Sequence, residues 1–268
     1  MQYFIQFITN DIFLWIVLCV FSYLLGSINN AVIISVLAKK DIRKQGSGNP
    51  GSMNMFRSLG FWYGLLTLTL DALKGVIPAL LGWFVLGDKF MFGENRIGLY
   101  VCSTIVILGH IFPIFYKFKG GKGVATTMGV CFVVNWWMTL ISFVAGVLSI
   151  VITKLGFLGS FIILGLPCIY QSVICFIGGD IVGGIILIVL YALVIFMHRK
   201  NLIRFFQGKE NKTYIFAKLF KKNKNAPPQQ TVSDAETSIK HTEPQEKTEK
   251  SEDSVIAPED SKPSENIQ

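Results

Sequence analysis

The chain has 268 residues, 51% of them hydrophobic and only 16% charged, with a formal net charge of +8. Soluble domains carry roughly 25% charged residues, and a mean hydropathy of +0.51 excludes an ordinary water-soluble globule. Dividing the length by a typical soluble domain size would mislead, because residues 1–225 read as one polytopic membrane domain.

Crossing a bilayer core of roughly 30 Å takes about 17–25 apolar residues in a helix. The first such run is Ile12 to Ala38, interrupted only by small or amide residues. No Lys or Arg precedes Lys39, so this run is expected to be a retained helix and not a signal peptide. Phe61 to Leu86 is the second and contains Asp71 and Lys74; Ile97 to Phe112 is the third. Gly123 to Thr153 is long for one helix and short for two. Ser160 to Ile177 and Ile181 to Met197 complete the set.

Charge resolves the ambiguous fourth run. If it turns near Asn135-Trp136-Trp137, seven spans result and every basic loop faces the same way. Trp136 and Trp137 then lie at the far interface, where amphipathic rings prefer to sit. The basic loops carry Lys39, Lys40, Arg43, Lys44 and Arg57, then Lys117, Lys119 and Lys122, then Lys154. The opposite side offers Asp11, Asp180 and a balanced set of Asp88, Lys89, Glu94 and Arg96. The excess of Lys and Arg in cytoplasmic loops predicts an all-α integral membrane protein of the cell membrane. It has about seven transmembrane helices, the N-terminus outside and the C-terminus in the cytoplasm.

From Pro227 onward there are four Lys against ten acidic residues, a local balance of −6 that leaves +14 on the rest. Residues 226–268 are rich in Pro, Gln, Ser, Thr, Lys and Glu, and are expected to form a disordered acidic tail. The five cysteines all lie in apolar stretches without a C-x-x-C pair, so neither a disulfide framework nor a metal site is indicated.

Three polar segments fall on the predicted cytoplasmic face. In Asp41 to Gly60, Gly46, Gly48 and Gly51 allow tight turns that present backbone amides to an anion. Ser47, Asn49 and Asn54 add side-chain donors, and Arg57 supplies a forked cation suited to phosphate. In Gly109 to Thr126, Gly120, Gly121 and Gly123 permit close approach at a helix start, with Lys119 or Lys122 as countercharge. Lys122 is followed by Gly123, so this is not a nucleotide P-loop. In His198 to Glu210, His198 and Asn201 share a helix face that could hold polyol hydroxyls. Asp71 and Lys74 lie roughly 16–20 Å into the second span, a depth at which charges are paired or functional. Their three-residue spacing favours a supporting ion pair.

Together the segments resemble the bacterial membrane glycerol-3-phosphate acyltransferases that use acyl phosphate as donor. The resemblance rests on G-S-G-N-P-G-x-x-N-x-x-R (Gly46 to Arg57), D-x-x-K-G (Asp71 to Gly75), G-H-x-F-P-x-F-x-x-F-K-G-G-K-G-V-A-T (Gly109 to Thr126) and H-x-x-N-x-x-R-x-x-x-G-x-E (His198 to Glu210). It covers residues from about 12 to 212 and implies a seven-helix enzyme that acylates the 1-hydroxyl of glycerol 3-phosphate, giving lysophosphatidic acid and phosphate. It implies phosphate contacts for Ser47, Arg57 and a lysine of the G-G-K-G loop, with Gly48, Asn49, Gly51 and Asn54 in the same cradle. His198 and Asn201 would act on the glycerol hydroxyls, and Glu210 would support them. The implied partners are the two phosphorylated substrates and membrane lipids, with no nucleic acid, cofactor or metal, and the chain acts as a monomer. Where relatives commonly read G-A-T-N, this chain has Gly51-Ser52-Met53-Asn54, so the Thr hydroxyl is lost at Met53.

The rival from another class is a transporter of phosphorylated solutes, whose sites usually lie near the midplane between inverted repeats. Here the motifs gather on one face and no repeat is visible. An acyltransferase with an H-x-x-x-x-D signature is excluded, because Phe115, Ile203 and Glu246 stand five residues beyond the three histidines.

Overall fold

The computed structural model describes residues 2–86 and 96–215, with side chains from Ile12 onward. Asp11, Asp88, Lys89, Glu94 and the acidic tail from 226 therefore lie outside the described side chains. The described residues are helical apart from turns and one isolated antiparallel bridge between Leu155 and Lys212.

The first apolar run is expected to be continuous, but it breaks. Helix α1 (Gln2–Ser27) ends before Asn29, and α2 (Asn30–Leu37) starts anew. The Asn29 side chain accepts a hydrogen bond from Val32 N, 3.1 Å away, and so caps α2. An amide that can cap competes with helix continuation, and here capping wins. The break frees the Ile28 carbonyl, which accepts from Lys74 Nζ at 2.6 Å.

After a short 3₁₀ turn at Ile42–Lys44 come α3 (Ser52–Ser58) and the long α4 (Phe61–Leu86). Then follow α5 (Ile97–Ile111) and α6 (Val124–Val134). Helices α7 (Trp136–Thr153) and α8 (Gly156–Ile177) complete the long set, and α8 starts four residues earlier than the sequence suggests. The chain breaks between α6 and α7 at Asn135, within the Asn-Trp-Trp turn signal, and the Asn135 side chain caps α7 by accepting from Met138 N at 3.1 Å. Helix α9 (Ile181–Met197) bends by 50° at His198 into α10 (Arg199–Phe206).

Among the described residues five helices are long and apolar enough to cross a membrane, or six if α9 and α10 form one bent span. Helix α6, with 11 residues, is apolar but spans only about 16 Å at 1.5 Å per residue. Large apolar side chains such as Phe13, Trp62, Phe84, Trp136 and Ile177 face outward, as lipid-facing residues do. The interior is built on close helix contacts. A Cβ on Gly75 would lie 2.2 Å from the Thr126 carbonyl oxygen, and one on Gly129 would lie 2.0 Å from that of Ala72. Two small residues thus let α4 and α6 touch backbone to backbone, which fixes Asp71 relative to the start of α6.

Candidate active site

The glycine-rich loop before α3 is organised by one buried amide. Asn54 accepts from Ser47 N (3.1 Å) and donates to the carbonyls of Ile42 (3.3 Å) and Gln45 (2.9 Å). A Cβ on Gly46, whose φ is +56°, would meet Asn54 Oδ1 at 2.4 Å, so the loop needs glycine there twice over. Asn54 was expected among the phosphate donors; its side chain instead holds the loop that presents Ser47 and Asn49.

The G-G-K-G loop is similarly tied back. The amides of Gly120 and Gly121 donate to the carbonyls of Ile111 (3.1 Å) and His110 (3.2 Å) at the end of α5. They satisfy that helix terminus and do not turn toward an anion. Gly121 also packs on His110, where a Cβ would fall 2.2 Å from Nε2. Gly123, at φ +84°, starts α6, and no side chain caps it. The first-turn amides of α6 thus stand beside the cavity that Val124 and Ala125 line.

The third segment closes the site. At the α9–α10 bend His198 is 3% exposed, and its Nδ1 lies 2.8 Å from the Val194 carbonyl. A carbonyl only accepts, so Nδ1 carries a proton, and in the neutral ring Nε2 keeps its lone pair. Asn201 is engaged at both ends. Its Oδ1 accepts from Lys122 Nζ, while its Nδ2 donates to Glu210 Oε1 at 2.6 Å. The other Glu210 oxygen pairs with Arg204 Nε at 2.9 Å.

These elements line one open cavity. Ser47, Asn49, Gly51, Asn54 and Arg57 line it from the first segment, and Lys122 from the second. His198, Asn201 and Glu210 come from the third, and Asp71 and His110 from α4 and α5. An adjoining groove shares Ser47, Asn49, Lys122 and Asn201 and adds Gly48, Lys119, Gly120 and the cations Arg43, Arg199, Lys200 and Arg204. Gly121, Gly123 and Lys74 line neither space.

Lys122 and Arg57 have no carboxylate within ion-pair distance among the described residues. Burial pushes the Lys122 ammonium down to about 8; Glu210 opposes the shift, while Arg204 and Arg57 add to it. Burial likewise lowers the Arg57 guanidinium below its usual value. Half-buried cations with no carboxylate in contact among the described residues cost free energy that a bound anion would offset.

The Asp71–Lys74 pair forms as the spacing suggests, with Lys74 Nζ 2.9 Å from Asp71 Oδ1 and both side chains at most 4% exposed. Asn30 Nδ2 also donates to Asp71 Oδ1, at 2.9 Å. His110 Nδ1 sits 3.9 Å from the same oxygen, beyond hydrogen-bond reach, and is buried without a hydrogen-bond partner among the described residues. Sequence reasoning did not single out Asn30, Ser160 or Thr213, and it carried His110 only as a position of the G-H-x-F-P motif. An amide inside an otherwise apolar run was the available signal for Asn30. Nothing local marks Thr213, whose hydroxyl accepts from Arg57 Nη2 at 2.6 Å across 156 positions of sequence.

A family profile described as glycerol-3-phosphate acyltransferase matches residues 16–208. The glycerol-3-phosphate acyltransferase of Thermoanaerobacter pseudethanolicus is 38% identical over 200 residues, 72% of this chain and 92% of its own length. That of Aquifex aeolicus is 38% identical over 196 residues, 73% of this chain and 97% of its own. A crystal structure of PlsY (YgiH), an integral membrane glycerol 3-phosphate acyltransferase, in its glycerol 3-phosphate form matches with a TM-score of 0.66 and 36% identity. The match covers 77% of this chain and 99% of that one. The lysophosphatidic acid form of the same protein matches with a TM-score of 0.64.

Proposed function

The chain belongs to the glycerol-3-phosphate acyltransferase family, and on that premise we propose that it transfers a fatty acyl group from acyl phosphate to the 1-hydroxyl of sn-glycerol 3-phosphate. The products are lysophosphatidic acid and inorganic phosphate. The observation that carries this reading is the pair of half-buried cations, Arg57 and Lys122, which among the described residues have no carboxylate in ion-pair contact and line one cavity with His198. The adjoining basic groove shares four residues with that cavity, which suits a reaction in which both reactants carry phosphate.

In the transfer, the glycerol hydroxyl oxygen forms a bond to the acyl carbonyl carbon. The bond from that carbon to the phosphate oxygen breaks, and the hydroxyl proton passes by way of His198 Nε2 to the departing phosphate. The donor is a mixed anhydride, already activated, so positioning and charge stabilisation supply most of the catalysis. His198 Nε2 accepts a hydrogen bond from the hydroxyl and orients its lone pair toward the carbonyl. Lys122, Arg57, Ser47 and the first-turn amides of α6 hold the phosphate oxygens, with Gly48, Asn49, Gly51, Lys119, Gly120, Gly121 and Gly123 shaping the loops. Asn201 and Glu210 fix Lys122, and Asp71 with Lys74 braces α4 beneath.

The membrane arrangement follows the charge pattern. Seven helical segments traverse or enter the bilayer, counting α6 as a short one. The N-terminus lies outside, and the site opens to the cytoplasm of the cell membrane. Residues 226–268 form an appended acidic tail. Purified protein mixed with glycerol 3-phosphate and either acyl phosphate or acyl-CoA tests the reading. Lysophosphatidic acid is expected from acyl phosphate alone, and formation from acyl-CoA at equal rate would contradict it.

A further inference from the structure

The segment that follows α10 returns across the site. Gly208 takes φ +69°, Glu210 pairs with Arg204, and Lys212 bridges to Leu155. Thr213 N donates to the Lys154 carbonyl at 2.8 Å, and the Lys154 ammonium sits 5.3 Å over the Tyr214 ring. Residues 208–214 are thereby strapped to the turn between α7 and α8. The strap's inward group is the Thr213 hydroxyl, 1% exposed, which accepts from Arg57 Nη2 at 2.6 Å; the Asn211 carbonyl is 3.5 Å from the same nitrogen.

We infer that Thr213 is a positioning residue for Arg57: by engaging Nη2 it fixes the guanidinium so that its other donors face the phosphate of a bound substrate. Two observations support this. Arg57 lines the cavity, and among the described residues its hydrogen bonds run through Nη2 alone, so the anchored guanidinium keeps Nη1 for a ligand. Thr213 also lies beyond residues 16–208, where the family profile matches, so the profile assigns it nothing. An Arg side chain has several rotatable bonds, and holding it in one rotamer before the ligand arrives lowers the entropic cost of binding. The hydroxyl does this without neutralising the charge, which a carboxylate at the same place would do.

This inference rests on Arg57 being a phosphate contact, as proposed above. The test compares wild type, Thr213→Val and Thr213→Ser in steady-state acyl transfer and in binding of inorganic phosphate by calorimetry. Thr213→Val removes one hydrogen bond to a charged group, so the KM of one phosphorylated substrate should rise roughly tenfold while kcat changes far less. Phosphate binding should weaken in parallel, and Thr213→Ser should restore both. Should Thr213→Val fail to reconstitute, Thr213→Ala keeps the backbone bond to Lys154 and serves the same comparison. Unchanged KM and phosphate affinity, or a loss that Thr213→Ser does not restore, overturns the inference. If wild type binds phosphate in a Thr213-dependent way but transfers no acyl group, the substrate reading fails and the positioning role stands.

Discussion

Lys122 donates a hydrogen bond to the amide oxygen of Asn201, a residue 79 positions further along the chain. The contact joins the G-G-K-G loop to the segment after α9, and Glu210 completes the chain by accepting from the other end of the same amide. Asn201 is therefore a coupling between a cation and a carboxylate that do not pair directly. Replacing it by Ala takes a hydrogen-bond partner from Lys122 Nζ and from Glu210 Oε1.

For Asn201→Ala, a loss of about 1–3 kcal/mol in stability is expected from those lost hydrogen bonds. In kcat/KM the drop should be roughly a hundredfold, because Lys122 is no longer held at the phosphate. Thermal unfolding in detergent and acyl-transfer kinetics measure the two separately, and full activity would remove Asn201 from the site.

The depressed Lys122 ammonium predicts a pH profile. Below about 8 the group carries its charge; as pH rises through that value the free enzyme loses it. Since kcat/KM reports ionisations of the free enzyme, it should fall above that pH by about tenfold per unit. Lys122→Arg keeps its charge throughout the alkaline range of the assay, because a guanidinium stays protonated there. Whatever its absolute rate, that variant should lack the alkaline descent attributed to Lys122. An identical descent in both proteins would assign it to another group.

For His198 the expectation is an effect on the chemical step. Glutamine can accept a hydrogen bond but cannot reproduce the ring anchored on Val194. His198→Gln should lower kcat by roughly 10²-fold with a modest change in KM. A variant that kept kcat and only raised KM would leave His198 as a binding group.

The intramembrane pair behaves differently from the site. Removing one member, as in Asp71→Asn or Lys74→Met, leaves an uncompensated buried charge and should cost about 3–5 kcal/mol. The double variant should recover a substantial part of that loss, because no lone charge remains. A double variant as unstable as the sum of the singles would contradict the ion-pair account.

Much of this architecture is legible from local rules. Apolar runs give the helices, Asn135 with two tryptophans marks the break before α7, and the i, i+3 spacing of Asp71 and Lys74 forecasts their contact. The three polar segments do converge on one cavity. The roles within them are less legible, because each depends on where a backbone group is already committed. Asn54 looked like a ligand donor, but the carbonyls of Ile42 and Gln45 claim it. Gly120 and Gly121 looked like a phosphate cradle, but their amides serve the end of α5. The break at Asn29 created the Ile28 carbonyl acceptor for Lys74, and no helical periodicity announces it.

The central claim is that Arg57 and Lys122 await phosphate oxygens in one cavity. Its most direct test is acyl-phosphate-dependent formation of lysophosphatidic acid by purified wild type, Arg57→Met and Lys122→Met, with folding checked by thermal unfolding. The account predicts robust turnover by wild type, and a fall of roughly 10²-fold or more in kcat/KM for each folded variant. Folded variants that turn over at the wild-type rate would contradict it.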